Sequence, residues 1–140
     1  MSKHSEVAYS FVRGVKDTGS RMYTDGERVF SYGSHFVIAK HKSWGYIFNA
    51  NSYSSSTAKH KGFVMNAISG KVIELIDCDE SKTEKTYEQN LLQIKSLKGL
   101  KDRARTKKDH YKQEIDYLKD QNQLIKERYL KDLIVEKLTE

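Results

Sequence analysis

Two polar clusters hold the residues of this 140-residue chain whose types and spacing could do chemistry. The first surrounds His35, and the second runs from Tyr53 to His60. A histidine near tyrosine, serine and lysine side chains could serve in general acid–base or phosphate chemistry. No carboxylate occurs between Glu27 and Glu74, so the region lacks the usual Mg²⁺ ligands. We expect one polar surface cluster at the end of a sheet, made of His35, Tyr53, Ser55 and Thr57.

The same residues also fit a structural interpretation. Serine and threonine before an amphipathic run are typical helix caps, and the two histidines would then pack near the core. The spacing defines no catalytic triad, so no catalytic residue is assigned, and a small hydrolase or nuclease using His35 and His60 is an alternative only. His35, His41, His60 and Cys78 lack the paired spacings of zinc sites, so neither a metal nor a cofactor is predicted.

Basic residues form two groups in a chain whose formal net charge is +6. Six of the eleven residues from Lys98 to Lys108 are basic, enough to neutralise several phosphates. A second group mixes lysines with Trp44, a combination that suits stacking and phosphate contact. Acids at Asp102 and Asp109 dilute the first group, and a solvated helix face is the competing interpretation. The predicted nucleic-acid or partner contacts are Lys40, Lys42, Trp44, Lys59, His60, Lys61, Lys98, Lys101, Arg103, Arg105, Lys107 and Lys108.

A stripe in the C-terminal part has the spacing of a coiled coil. A lone asparagine at a core position, here Asn122, is a known device for fixing a two-stranded coiled coil. We therefore predict a homodimer through one long helix. A helical hairpin that bends near Lys98–Lys108 is the alternative, because the stripe fails there. The predicted dimer seam is Tyr111, Ile115, Leu118, Asn122, Ile125 and Tyr129.

The elements around these residues predict an α+β chain. Aromatic and β-branched residues crowd residues 7–76, and charge dominates residues 81–140, so we expect a β-rich domain over 1–80 and a helical, coiled-coil extension over 81–140. The first domain is predicted as a small antiparallel β-meander with one short helix, followed by the long C-terminal helix.

Local patterns place the individual elements of the first domain. Residues 5–13 alternate like a strand, and Asp25-Gly26 suits a type I′ hairpin turn. A helix is expected after Ser54–Thr57 with His60, Val64 and Ile68 on one stripe, although residues 62–68 also fit a buried strand. Gly70 would end that helix, and residues 71–77 would form a closing strand.

Composition restricts the cellular compartments that we expect for the protein. A single cysteine, Cys78, excludes an internal disulfide and favours a reducing compartment. No apolar run approaches the roughly 18–20 residues of a membrane span, and the N-terminus lacks the apolar core of a signal peptide. We therefore expect a cytoplasmic protein without membrane contact.

The run Phe30–Ala39 and the segment Tyr53–His60 resemble a small domain of phage-encoded and mobile-element proteins. Those proteins carry a Tyr-Gly-x-His-Phe-like strand and a Tyr-Ser-x-Thr-Thr-x-Lys-His-like segment that opens a helix. The resemblance covers about residues 20–68, and Ser56 stands where the first threonine usually stands. It brings no catalytic residues, but it implies a phage accessory protein in the host cytoplasm, with a role in host takeover or counter-defence.

Together these features predict a non-enzymatic binding protein. Its expected target is a host protein or nucleoprotein complex, such as a defence complex that an inhibitor of the anti-CRISPR kind would block by occupancy. A DNA- or RNA-binding accessory protein is the first alternative, with nucleic acid as the partner. A virion or scaffold component, assembled through the C-terminal helix, is another.

Overall fold

The computed structural model describes residues 2–32, 36–51 and 55–130 of the chain. They belong to two compact units, Met1–Glu80 and Ser81–Glu140. The division falls where the composition changes from aromatic and β-branched residues to charged ones. The architecture is α+β, as predicted, with a sheet in the first unit and helices in both.

A six-stranded sheet with strand order β1-β2-β3-β4-β5-β6 forms the centre of the first unit. The first five strands pair antiparallel, as predicted. The last strand runs parallel to its neighbour, so the prediction of a purely antiparallel meander is wrong. Parallel neighbours need a crossover connection, which a helix provides here. The strands are β1 (Asp17–Thr18), β2 (Met22–Thr24), β3 (Arg28–Ser31), β4 (Phe36–Lys42), β5 (Gly45–Asn49) and β6 (Val72–Leu75).

The N-terminal segment is a helix, α1 (His4–Val12), so the strand predicted for residues 5–13 is wrong. Val7 and Phe11 are fully buried, whereas Tyr9 between them is 61% exposed. Val7 and Phe11 are four residues apart, a spacing that fits one face of a helix as well as one face of a strand. The Glu6 carboxylate accepts the backbone N–H of Lys3, which helps to begin the helix.

The predicted hairpin around Asp25-Gly26 is confirmed as β2 and β3, but its turn differs from the predicted type. A type I′ turn needs positive φ at both central residues, and of this pair only Gly26, with φ of 98°, has one. The Asp25 carboxylate accepts the backbone N–H groups of Glu27 and Arg28 at 3.0 and 2.8 Å. The turn is therefore stabilised by a side chain as well as by glycine.

The predicted helix after residue 54 is confirmed as α2 (Ser55–Ala67), which excludes the alternative strand over residues 62–68. Its stripe of His60, Val64 and Ile68 is buried, as the 3.6-residue period requires. Gly70, with φ of 97°, lies just beyond its end. Both helices pack with the sheet around one apolar cluster, which includes Val7, Ala8, Phe11, Met22, Val29, Phe36, Ile38, Ala39, Phe48, Val64 and Ile68.

The second unit consists of long helices, as predicted, but they form a hairpin, so the favoured single uninterrupted helix is wrong and the alternative bend is correct. Helix α3 (Thr83–Arg103) is followed by α4 (Lys108–Ile125), and the two pack against each other. A π-helical segment, Lys126–Leu130, continues α4. The chain reverses over residues 104–107, where Lys107 has a left-handed φ of 65°.

The predicted dimer seam lies inside this hairpin. Ile115 is buried with Ile94 and Leu97 of α3, and Tyr111 and Leu118 pack beside them. The apolar spacing therefore has a partner within the same chain, and a dimer through the same stripe would require the hairpin to open. The polar member of the stripe is also satisfied internally: the Asn90 side-chain amide donates to Oδ1 of Asn122 at 2.9 Å. Self-association of the protein stays a prediction.

Candidate functional site

The hairpin turn brings together six basic side chains that we call the basic tip: Lys98, Lys101, Arg103, Arg105, Lys107 and Lys108. Five of them are exposed, and Lys101 is half-buried. No carboxylate in the described residues lies within ion-pair distance of any of them. The six predicted contacts of this group therefore occupy one end of a rigid hairpin instead of following the side of a long helix.

The backbone conformation and the helix dipole at the tip are both unfavourable for the lysines there. Lys107 is the N-cap of α4, makes no side-chain capping hydrogen bond and holds a left-handed conformation that disfavours non-glycine residues. The N-terminus of a helix carries a partial positive charge, so Lys107 and Lys108 lie at its unfavourable end. Asp109 offsets part of this repulsion. Stability alone does not explain the charges at this position.

The second predicted basic group does not form one surface. Lys42 and Lys40 place their Nζ atoms 2.8 and 3.7 Å from the Glu80 carboxylate. The Lys61 Nζ donates to the Asn51 carbonyl at 2.8 Å, and burial lowers the pKa of this lysine. The half-buried Trp44 lies in the turn between β4 and β5. Of the group, only Lys59 is exposed.

Of the predicted polar surface cluster, the structure describes only the side chain of Thr57, and for this residue the prediction of a surface position is wrong. His35 and Tyr53 lie outside the described residues, as does the side chain of Ser55. Thr57 is fully buried, because the α2 face that carries it packs inward. Its hydroxyl lies 3.2 Å from Oγ of Ser31. Thr57 therefore belongs to a buried hydrogen-bond network and does not form part of a surface cluster.

His60, predicted as a surface contact, is only 3% exposed. Its Nδ1 lies 2.7 Å from Oγ of Ser31, and its ring meets the ring of His4 edge-on with centroids 4.5 Å apart. Burial lowers the pKa of His60, and the neighbouring His4 lowers it further. The Ser31 hydroxyl is fully buried, so it is not accessible as a nucleophile despite its contact with a histidine.

The pH dependence of folding follows from this histidine. The unfolded chain takes up a proton as pH falls below the ordinary His60 pKa of 6.5, whereas the folded chain resists protonation. We therefore expect the free energy of unfolding of the first unit to be highest above that pH and to decline below it. Urea titrations between about pH 5 and about pH 8, followed by the fluorescence of the single Trp44, measure this. His60→Gln should flatten the decline, and an equally steep decline in that variant would contradict the assignment.

His60 also lines an open pocket in the first unit, with a volume of about 310 Å³. Helix α1 contributes His4, and helix α2 contributes Ser56, Lys59, His60 and Phe63. None of the lining residues is acidic. We call this site the histidine pocket, and among the described residues its lining is His4, Ser20, Arg21, Tyr32, Ser56, Lys59, His60 and Phe63.

Two lining residues have a rare backbone conformation. Arg21 and Tyr32 have φ of 61° and 57°, in the left-handed region that side chains usually avoid. The Tyr32 N–H donates to the Arg21 carbonyl at 2.8 Å, and the Arg21 guanidinium lies over the Tyr32 ring, 5.8 Å from its centroid. Strained backbone of this kind is often found at functional sites, where the surrounding structure holds it.

Sequence reasoning assigns no role to His4, Arg21 or Phe63. Phe63 follows Lys59 by four residues on α2, so helical spacing alone would have placed it on the same face. His4 and Arg21 carry no such local signal, because the packing of α1 on α2 brings His4 to the pocket and Arg21 comes from the separate connection between β1 and β2.

The described parts of the chain show no group of three or more His, Cys, Asp or Glu side chains that could hold a metal ion. Cys78 is buried, and burial raises the pKa of its thiol to about 12, which makes it unreactive. Within residues 2–32, 36–51 and 55–130, no helix combines the length and hydrophobicity needed to cross a membrane. No protein family model, no curated protein and no solved structure matches the chain.

Proposed function

We propose that the chain is a non-enzymatic binding protein that attaches to a nucleoprotein complex and blocks it by occupancy. The observation that carries this proposal is the basic tip, where the reversal between α3 and α4 gathers six cations. Lys98 precedes Arg103 by five residues, which a helix spans in about 7.5 Å. All six residues therefore lie close to the turn, where both helices offer exposed cations to an anionic partner.

The chemistry of the tip supports binding and not catalysis. Its charged donors suit phosphate oxygens, and arginine in particular makes paired hydrogen bonds to them. The tip itself holds no histidine, cysteine or serine that would act as a nucleophile or base. A polyanionic partner is therefore the ligand class that this surface fits best.

The proposed target is a host nucleoprotein or defence complex, in keeping with the resemblance to phage accessory domains. Direct binding of DNA or RNA is the second candidate, and the same tip favours it. The two candidates differ in what the tip contacts in the cell. Both require that positive charge at the tip dominates the affinity.

Neutralising the tip tests the proposal. We expect a variant with Lys101, Arg103, Arg105, Lys107 and Lys108 changed to glutamine to lose about a hundredfold or more of the affinity for duplex DNA or RNA at low salt. The slope of log affinity against log salt should become shallower by about 0.9 for each phosphate that the variant no longer neutralises. Filter binding at several salt concentrations measures both quantities.

A matched control removes five exposed lysines of the same unit outside the tip: Lys85, Lys95, Lys112, Lys119 and Lys126, each changed to glutamine. The control has the same net charge as the tip variant but keeps the tip, so its salt dependence should stay near that of the unmodified chain. Equal losses in the two variants would overturn the proposal. Capture from host lysate without nuclease then separates the two candidates, because a nucleoprotein target brings a defined set of proteins with its nucleic acid, whereas nucleic acid alone does not.

A further inference from the structure

The histidine pocket has the features of a binding site that is independent of the basic tip. It combines cationic side chains, a neutral histidine and an exposed aromatic ring. We propose that it binds a phosphorylated nucleoside, with the phosphate at Arg21 and Lys59 and the base against Phe63. The same chemistry occurs in a free mononucleotide and at the 5′-phosphorylated end of a strand.

The charges of the pocket favour an anion. Three cations of the first unit, Arg28, Lys40 and Lys42, are held by acidic partners, Asp25 for the first and Glu80 for the other two. Lys59, by contrast, has no ion-pair partner in the described residues. An anionic ligand would therefore meet an uncompensated lysine, and its contacts would be charge-assisted hydrogen bonds.

The network beneath His60 suits a donor facing a phosphate. The Ser31 hydroxyl lies 2.7 Å from Nδ1 of His60, and in the tautomer in which it donates to Nδ1 the His60 proton belongs to Nε2. No described residue contacts Nε2 by a hydrogen bond. A neutral imidazole in this tautomer offers one N–H donor to a ligand oxygen.

One face of α2 supplies both polar and apolar contacts. Ser56, Lys59, His60 and Phe63 follow the spacing i, i+3, i+4 and i+7, so they line one side of the pocket. Phe63 is 39% exposed, although its ring also meets the ring of His4 edge-on. An exposed aromatic beside cations is the arrangement on which nucleobases stack.

The size and backbone of the pocket agree with a small organic ligand. Its volume of about 310 Å³ lies at the lower end of small-molecule sites, which span about 300–1,000 Å³. Arg21 and Tyr32, which both have left-handed backbone, come from two different segments, and the hydrogen bond from the Tyr32 N–H to the Arg21 carbonyl holds them side by side. A pocket of this volume accommodates a ligand of about the size of one nucleotide.

Calorimetric titration of the full chain tests the proposal, with the five-glutamine tip variant as the background because it removes five of the six cations of the tip. The probes are adenosine 5′-monophosphate, adenosine and inorganic phosphate. We expect the nucleotide to bind more tightly than either fragment. Lys59→Gln combined with Arg21→Gly, in which glycine accepts the positive φ, should weaken nucleotide binding by about tenfold or more. Phe63→Ser should weaken the nucleotide and leave inorganic phosphate unchanged.

Lys71→Gln is the matched control, because this exposed lysine of the same unit is outside the pocket. Trp44 fluorescence verifies folding, and the single variant Lys59→Gln is used instead if the double variant unfolds.

Oligonucleotides with a 5′-phosphate or a 5′-hydroxyl end distinguish a strand end from a free mononucleotide as the ligand. Tighter binding of the phosphorylated strand indicates a strand end. Absence of saturable nucleotide binding, or equal affinity in the Lys59 and Lys71 variants, would overturn the proposal. The outcome is independent of the tip, so either proposal can fail alone.

Discussion

Phe11→Ala is expected to lower the free energy of unfolding of the first unit by about 3–5 kcal/mol. The Phe11 side chain is fully buried at the α1–sheet boundary. Its ring centroid lies 4.5 Å from that of His41 and 5.8 Å from that of Tyr46, so truncation leaves a cavity between rings that cannot collapse easily. Urea denaturation followed by Trp44 fluorescence measures the loss in this unit.

Tyr9→Ala is the matched control for this prediction. Tyr9 lies in the same helix but is 61% exposed, so its loss should change the free energy of unfolding by less than about 0.5 kcal/mol. If residues 5–13 formed the strand that their alternation suggests, Tyr9 and Phe11 would lie on the same face. The two alanine substitutions would then lower the free energy of unfolding by similar amounts. Equal effects of the two substitutions would therefore refute the helix.

Asn122→Ile is expected to destabilise the helical hairpin by about 1–3 kcal/mol. The substitution removes the acceptor of the Asn90 side-chain amide and the donor that reaches the Tyr87 carbonyl at 3.3 Å. A polar group left without a partner in this half-buried setting loses its hydration without compensation. Denaturation followed by circular dichroism, which reports mainly on the helices, measures the effect.

A double variant separates the hairpin from the predicted dimer. Asn90→Leu with Asn122→Leu replaces both polar partners, so it should recover much of the stability lost in Asn122→Ile. A seam between two copies would instead make Asn122 variants change the oligomeric state in sedimentation, while Asn90 variants would have little effect. That second pattern would contradict the hairpin.

Sequence patterns are sufficient to predict the elements that depend on residues close together in the chain. Asp25-Gly26 marked a turn, and the stripe of His60, Val64 and Ile68 marked a helix, because both depend on neighbours in the chain. The N-terminal helix was not predictable in this way, since Val7 and Phe11 fit a period of two as well as one of 3.6. Its identity depends on the sheet that it covers.

The candidate sites illustrate the same limit. Six basic residues between Lys98 and Lys108 were visible in the sequence, but their concentration at one point required the chain to reverse. Asn122 suggested a partner helix correctly, yet periodicity does not distinguish another copy from an earlier part of the same chain. In the pocket, His4 and His60 are 56 residues apart, and only tertiary packing brings their rings together.

Lys107 has a consequence for how such chains diverge. Asparagine or glycine would suit its left-handed, N-capping position better on conformational grounds alone. On the proposed function, a variant chain without an anionic partner would gain nothing from a cation at this turn, so selection for stability alone would favour that replacement. The residue at this one position would accordingly distinguish selection for binding through the turn from selection for a stable hairpin.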